Sequence, residues 1–399
     1  MRILYYAPID PSLGQGHAAH LRRMTEALTR RGHEVRWLTL AGEAAELAVG
    51  VAGEPSRGSG PAGWETVRRE GPPKLRHLWT ERRLADALRR TVGAFRPEIV
   101  LLRIELFSLA PLWVDLRRQP LIIECNSALV AHVRDTSRSQ LRARAAGACE
   151  RALLLRADGI GVVTRRLQTL LEESHQIPRE RFAVIPNGTS LLQLDPGAGP
   201  VVRRELGTGP LDFVALFAGN LSSWQGLDPW LEAAACLPQV ETWIVGSGTE
   251  RARLEERARR LGSGARTRFL GTREEGEIAR LAQGAQLLLA PQDPDFMRAS
   301  GGETLKLLFG LACDRPVFTR APGPPPPESL RIPEADTREG IIALLAQEYE
   351  RWAAAGHPLI DWPWPTGTGP GRRWVERERT WDHTAARWEE FALSVVRSR

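Results

Sequence analysis

From Arg2 to Ile185 the chain alternates short apolar runs with longer stretches in which apolar residues recur every three or four positions. The short runs have the length of buried strands and the longer ones the period of amphipathic helices. This pattern predicts strands at 3–7, 35–40, 99–102, 121–124, 159–163 and 183–185. Leu21, Met24 and Leu28 mark one face of a helix between the first two strands, and Gly32 marks its end. A turn-rich stretch from Asn187 to Pro210 interrupts the alternation. It then resumes, with strands predicted at 213–218, 242–245, 268–270, 287–290 and 317–319.

Strands alternating with helices give parallel sheets covered on both faces, so the fold class is α/β. The expected architecture is two doubly wound Rossmann-like domains facing each other across a cleft. Residues 1–188 form the first domain, 189–209 a linker and 210–375 the second domain. The tail, 376–399, is expected to return to the first domain as a helix carrying Ala385, Trp388 and Leu393. Before it, Trp362-Pro363-Trp364-Pro365 reads as a rigid loop.

A length of 399 residues suits two domains with a core each. The four cysteines stand apart without metal-ligand spacing, so neither a zinc site nor a disulfide framework is indicated, and a reducing cytoplasm fits. No apolar run is long enough for a signal peptide or a membrane span. Net charge is about +9 over residues 1–190 and about −3 over the remainder. The basic first half lacks aromatic-interleaved strands, which argues against nucleic acid. It leaves an acidic substrate, or peripheral contact with an anionic membrane at its inner face, as expectations.

In open parallel sheets, ligands bind beyond the carboxyl ends of the strands. After the first strand lie Gly14, Gly16 and His17, where a glycine loop before a helix can meet a phosphate or a hydroxyl-rich molecule. The strand at 121–124 ends in Glu124-Cys125-Asn126-Ser127, whose carboxylate and amide can orient hydroxyls or simply cap the next helix. In the second half, strand ends carry Gly219-Asn220, Gly246-Ser247-Gly248 and Gly271-Thr272-Arg273, with Gln225 in the first of these loops. Gly301-Gly302-Glu303-Thr304-Leu305-Lys306 then reads as a helix start bearing one of only two lysines in an arginine-rich chain. A lysine in the first turn of a helix beside a glycine pair suits an anion.

Taken in order, these residues resemble the retaining family 4 glycosyltransferases, of the two-Rossmann-domain GT-B type. The resemblance also rests on Arg31-Gly32-His33-Glu34-Val35, Val184-Ile185-Pro186-Asn187-Gly188, Trp224-Gln225-Gly226-Leu227-Asp228 and Ala312-Cys313-Asp314-Arg315-Pro316-Val317. It implies metal-independent transfer of a sugar, with retention, from a nucleotide-diphosphate sugar to a carbohydrate, lipid-linked or small-molecule acceptor, and no cofactor. It implies donor contacts by Gly219, Asn220, Gln225, Gly246, Gly271, Thr272, Arg273 and the 302–306 segment (Gly302, Glu303, Thr304, Leu305 and Lys306). Lys306 and Glu124 become the candidate catalytic groups, with Gly14, Gly16, His17 and Asn126 on the acceptor side. The chain departs from the family pattern at Gln225, where lysine is common, and at Phe309, where a ribose-binding glutamate is expected. Those departures sustain a second expectation, a weakened or inactive nucleotide-sugar-binding partner of the same fold. A third, an epimerase of this architecture, would convert a sugar nucleotide without an acceptor.

Overall fold

Two parallel sheets organise the computed structural model, which describes residues 1–11, 16–41, 64–69, 72, 75–137, 139–195, 197–320, 335–363 and 366–399. The first has seven strands: β1 (Arg2–Tyr6), β2 (Glu34–Leu40), β3 (Trp64–Val67), β4 (Ile99–Arg103), β5 (Leu121–Cys125), β6 (Gly159–Val162) and β7 (Phe182–Val184). Their order is β3-β2-β1-β4-β5-β6-β7. The second has β8 (Phe213–Ala218), β9 (Val240–Val245), β10 (Thr267–Gly271), β11 (Leu287–Ala290) and β12 (Val317–Thr319), ordered β10-β9-β8-β11-β12. The central strands are buried on both faces, which is why they read as continuous apolar runs. In each sheet the order reverses beside its first strand, between β1 and β4 and between β8 and β11. Those are the positions where this topology opens a crevice for ligands.

Eleven of the twelve strands coincide, within one or two residues at either end, with predicted runs. The exception is β3, which pairs in parallel with β2 at Trp37 opposite Trp64. Its four residues include Glu65 and Thr66 and are followed by Arg68-Arg69, so no apolar run announces it. It makes the strand bearing Glu124 the fifth of its sheet, not the fourth.

The chain divides into two compact units: Met1–Asn187 with Ala299–Gly302 and Trp381–Arg399, and Gly188–Arg298 with Glu303–Thr380. Part of the expected linker is ordered as a helix, Ala198–Glu205, within the second unit. Its Val202 and Arg203 are buried, and the Arg203 guanidinium donates to the carbonyls of Gly284, Gly209 and Asp212. The turn residues around it hid this short helix from the sequence pattern. The tail is two helices, Pro370–Glu378 in the second unit and Trp381–Arg397 in the first. Trp364 and Pro365 of the expected rigid loop lie outside the described residues.

The terminal helix is built into the first unit by two glycines of β6. A Cβ on Gly161 would fall 2.1 Å from the Trp388 ring, and one on Gly159 would fall 2.7 Å from Phe391 and 2.8 Å from Val395. Gly159 and Gly161 are two apart and share one face, so the missing side chains let the helix lie directly on the strand. Thr384 Oγ1 donates to the Pro186 carbonyl at 3.0 Å, and Arg30 pairs with Asp382 at 2.8 Å. Gly161→Val is expected to cost about 1–3 kcal/mol through overpacking, read as a melting point lower by several degrees. Gly93→Ala, inside the helix Arg76–Phe95 with nothing within 4 Å of the added carbon, should be neutral or mildly stabilising. Equal melting for wild type and Gly161→Val would contradict this packing.

Candidate functional site

In the second unit the glycine strand ends converge on Lys306. Gly246 N donates to the Gly271 carbonyl at 2.8 Å, and Gly219 N donates to the Val245 carbonyl at 2.9 Å. A Cβ on Gly246 would lie 1.9 Å from the Gly219 carbonyl oxygen, so the loops after β8 and β9 meet backbone to backbone. Asn220, Thr272 and Arg273 stand exposed at the rim. Thr272 Oγ1 lies 3.4 Å from Ser247 Oγ, and the Arg273 guanidinium turns back to the Thr272 carbonyl at 3.0 Å.

Lys306 sits in the first turn of the helix Leu305–Ala312, whose N-cap is Thr304. Helical side chains lean toward the N-terminus of their helix, which carries the ammonium back over the strand ends. A Cβ on Gly219 would lie 2.5 Å from Lys306 Cε and 2.8 Å from Nζ. Nζ lies 5.3 Å from the centre of the Phe217 ring. No carboxylate among the described residues pairs with it. Burial alone therefore acts on the amine and pulls its pKa from 10.5 down to about 8. Thr304 Oγ1 accepts from Lys306 N at 3.3 Å and from Gln292 Nε2 at 2.7 Å. The result is an ammonium beside the amide end of a helix, an arrangement that binds anions.

Glu303 does not join this group. Its carboxylate is buried against the Arg379 guanidinium, which also lies 5.2 Å from the centre of the Trp374 ring. A carboxylate committed to a buried arginine is held in the fold. Gly302 packs with the first unit, where a Cβ would fall 2.9 Å from the Asn126 carbonyl oxygen. Phe309 packs against the apolar core of the second unit. Gln225 is buried, and its Oε1 has no partner among the described residues.

In the first unit the ends of β1, β4 and β5 gather a buried polar cluster around Glu124, which is 1% exposed. Its carboxylate accepts from the Tyr5 hydroxyl, from Arg103 Nη1 at 2.9 Å and from Asn126 Nδ2 at 2.5 Å. His20 Nε2, on the helix Gly16–Arg30, lies 2.8 Å from the same carboxylate. Burial pushes the Glu124 pKa up, but His20, Arg103 and these hydrogen bonds outweigh it and hold the carboxyl well below its usual range. Glu124 is thus enclosed by protein donors and ties His20, Arg103 and Asn126 to the end of β5. His17 is half-buried, and burial followed by the Arg103 charge lowers its pKa to about 4, keeping it neutral. Gly16 opens its helix at the surface, and Gly14 lies outside the described residues.

Sequence reasoning passed over His20, Arg103, Tyr5 and Gln292. His20 had a signal, since it stands three residues after His17 and so on the same helix face. Arg103 had another, as a charge closing an apolar strand. Among the described residues no three His, Cys, Asp or Glu side chains group as metal ligands would, and no helix is long and apolar enough to cross a membrane.

Residues 14–191 match the profile of Glycosyltransferase Family 4, and residues 201–332 match that of Glycosyl transferases group 1. The chain belongs to the family 4 glycosyltransferases. Within that family it is 30% identical over 245 residues to the D-inositol 3-phosphate glycosyltransferase of Mycolicibacterium paratuberculosis, covering 59% of this chain and 52% of that one. The Corynebacterium urealyticum protein of the same name is 29% identical over 228 residues, covering 53% and 51%. The chain spans about half the length of these curated relatives. Sucrose-phosphate synthase from Thermosynechococcus elongatus superposes on this chain with a TM-score of 0.78 at 18% identity, covering 100% of both chains. Anabaena HepE in complex with UDP-glucose gives 0.73 at 18% identity, over 99% of this chain and 100% of that one. These likenesses show the two-Rossmann-domain GT-B fold.

Proposed function

We propose that this family member transfers a sugar, with retention and without a metal ion, from a nucleoside-diphosphate sugar held in the second unit to a hydroxyl acceptor received by the first. One observation carries the reading: Lys306 is an ammonium without a carboxylate partner among the described residues, set among glycine strand ends and a helix N-terminus. Sugar transfer breaks the bond between the anomeric carbon and the diphosphate oxygen, and negative charge grows on that oxygen. A fixed ammonium and the amides of Thr304 and Leu305 stabilise the departing diphosphate more than the bound donor. HepE, of like fold, holds UDP-glucose, and the relatives' names describe transfer to an inositol phosphate. Both support this reading. Gly16, His17 and Asn126, around the Glu124 cluster, are the residues assigned to the acceptor.

A thermal-shift panel with UDP, GDP, ADP and TDP tests the donor site. At a hundred times its dissociation constant a ligand adds about 2.7 kcal/mol, enough to raise the melting point by several degrees. No response to any nucleotide would remove the proposal. A response without release of sugar in any acceptor mixture would favour the non-catalytic partner instead.

Affinity should also depend on pH in a defined direction. A diphosphate favours the charged amine, so binding takes up a proton wherever free Lys306 is partly neutral. Affinity is then full below about pH 8 and weakens by up to about tenfold for each pH unit above it. Calorimetry from pH 7 to pH 9.5 checks this, and a flat profile would separate Lys306 from the phosphate.

A further inference from the structure

We propose that Gln225 and Gln292 form the part of the donor site that reads the transferred sugar, each offering its side-chain carbonyl oxygen to a sugar hydroxyl. The inference rests on the donor site proposed above and assigns its neighbouring subsite. Gln225 closes the short turn Ser223–Gln225 after β8, and Gln292 lies two residues beyond β11. These two strands are adjacent, at the reversal of strand order in the second sheet.

The two loops are in direct contact. Asp293 N donates to the Trp224 carbonyl at 2.9 Å. Gly226 has φ +68°, and a Cβ there would fall 2.1 Å from the Pro291 carbonyl oxygen and 3.1 Å from Asp293 N. Only glycine allows both that backbone angle and that approach.

Both glutamines are almost wholly buried, Gln225 at 2% and Gln292 at 1% exposure, and the Oε1 of each has no partner among the described residues. Buried acceptors are normally satisfied, and two unsatisfied ones on touching loops at the ligand end of a sheet call for a donor from beyond the described residues, which a bound ligand would supply. Gln292 is also oriented: its Nε2 is spent on Thr304 Oγ1, the cap of the Lys306 helix. The Oε1 is thereby fixed beside the proposed diphosphate cradle.

A carbonyl oxygen repels a phosphate oxygen, so these two groups are not further phosphate contacts. They require O–H or N–H donors. Apart from guanine, whose N1–H and N2–H2 lie side by side, a nucleobase edge sets acceptors beside its donors and would bring a lone pair against a bare carbonyl. A pyranose presents hydroxyls, every one of which can donate. The two glutamines therefore suit the sugar better than the base.

Titration of wild type, Gln225→Met and Gln292→Met with UDP and UDP-glucose, and with GDP and GDP-mannose, tests the assignment. Methionine keeps the length of the side chain and removes its polar atoms. Each variant is expected to lose about tenfold in affinity for the nucleotide sugar bound by wild type, and to keep that for the free diphosphate within about twofold. Gln225→Met should melt no lower than wild type, because it deletes an unsatisfied acceptor, so it remains readable if Gln292→Met disturbs the Thr304 cap. Equal loss for diphosphate and nucleotide sugar would overturn the sugar assignment in favour of the base. Unchanged affinity for both would make the glutamines unused groups of the fold. Wild type that binds none of the four probes would instead strike at the donor site itself.

Discussion

Lys306→Met should weaken nucleoside-diphosphate binding and sugar transfer by about ten- to a hundredfold while leaving the unliganded protein as stable as wild type or more so. The loss follows from removing one charge-assisted contact, worth about 1.5–3 kcal/mol. The stability follows from burial, which lowers the lysine pKa from 10.5 to about 8 without an opposing carboxylate. At pH 7 the amine is still charged and carries that desolvation cost. About 1.36 kcal/mol per pKa unit gives a ceiling of about 3 kcal/mol, reduced because the side chain keeps some contact with solvent. The sign is opposite to that of a lysine in an ion pair. The unfolded chain binds the proton more tightly between about pH 8 and 10.5, so stability rises with pH across that window in wild type, and the variant loses this rise. Melting curves and nucleotide titrations on the same samples check both halves. A variant that melts lower and binds nucleotide normally would make Lys306 a packing residue.

Glu124→Gln should destabilise the first unit by about 3–5 kcal/mol, because it leaves Arg103 beside His20 without the carboxylate that holds them. Glu105 remains at 3.1 Å from Arg103 Nε and offsets part of this. The acid limb of stability gives a separate readout. Glu124 has a folded pKa depressed below its unfolded value, so its contribution is complete above about pH 4.3 and disappears as the pH falls toward the folded value. His17 acts in a higher window: its folded pKa of about 4 lies below the unfolded value of about 6.5, so stability falls as the pH drops from 6.5 to 4. Glu124→Gln should flatten the limb below about pH 4.3 and leave the His17 window in place. Denaturant midpoints from pH 7 to pH 3 separate the two, and an unchanged limb below pH 4.3 would exclude the charge assigned to Glu124.

The strands were legible because a parallel sheet buried on both faces writes itself as apolar runs, and β8, β11 and β12 have the predicted ends. β3 was not, because an edge strand is fixed by its neighbour more than by its own composition. The glycines at 219, 246 and 271 were legible as strand-end turns, and each has the positive φ that favours glycine there. Partnership was the hidden part. Nothing in the string Gly302-Glu303-Thr304 reveals that the carboxylate is claimed by Arg379, 76 residues away, or that Glu124 is already enclosed by Tyr5, His20, Arg103 and Asn126. Both residues look like reactive carboxylates in one dimension and become fixed charges in three. Gln292 is the converse case, an ordinary polar residue whose interest comes from burial with one end bonded and the other bare.

The bare face of β6 has a consequence for how the chain is made. Gly159 and Gly161 are complete only when Trp388, Phe391 and Val395 lie on them, and those residues are made after the whole of the second unit. The second unit, ending at Thr380, has all its segments in hand before the first does. Synthesis therefore begins the first unit, makes the second and only then completes the first, with an apolar strip of its sheet waiting meanwhile. A release at Thr380 would leave that strip uncovered, so early termination should send this protein to aggregates or proteases while a similar loss from a surface helix would pass unnoticed.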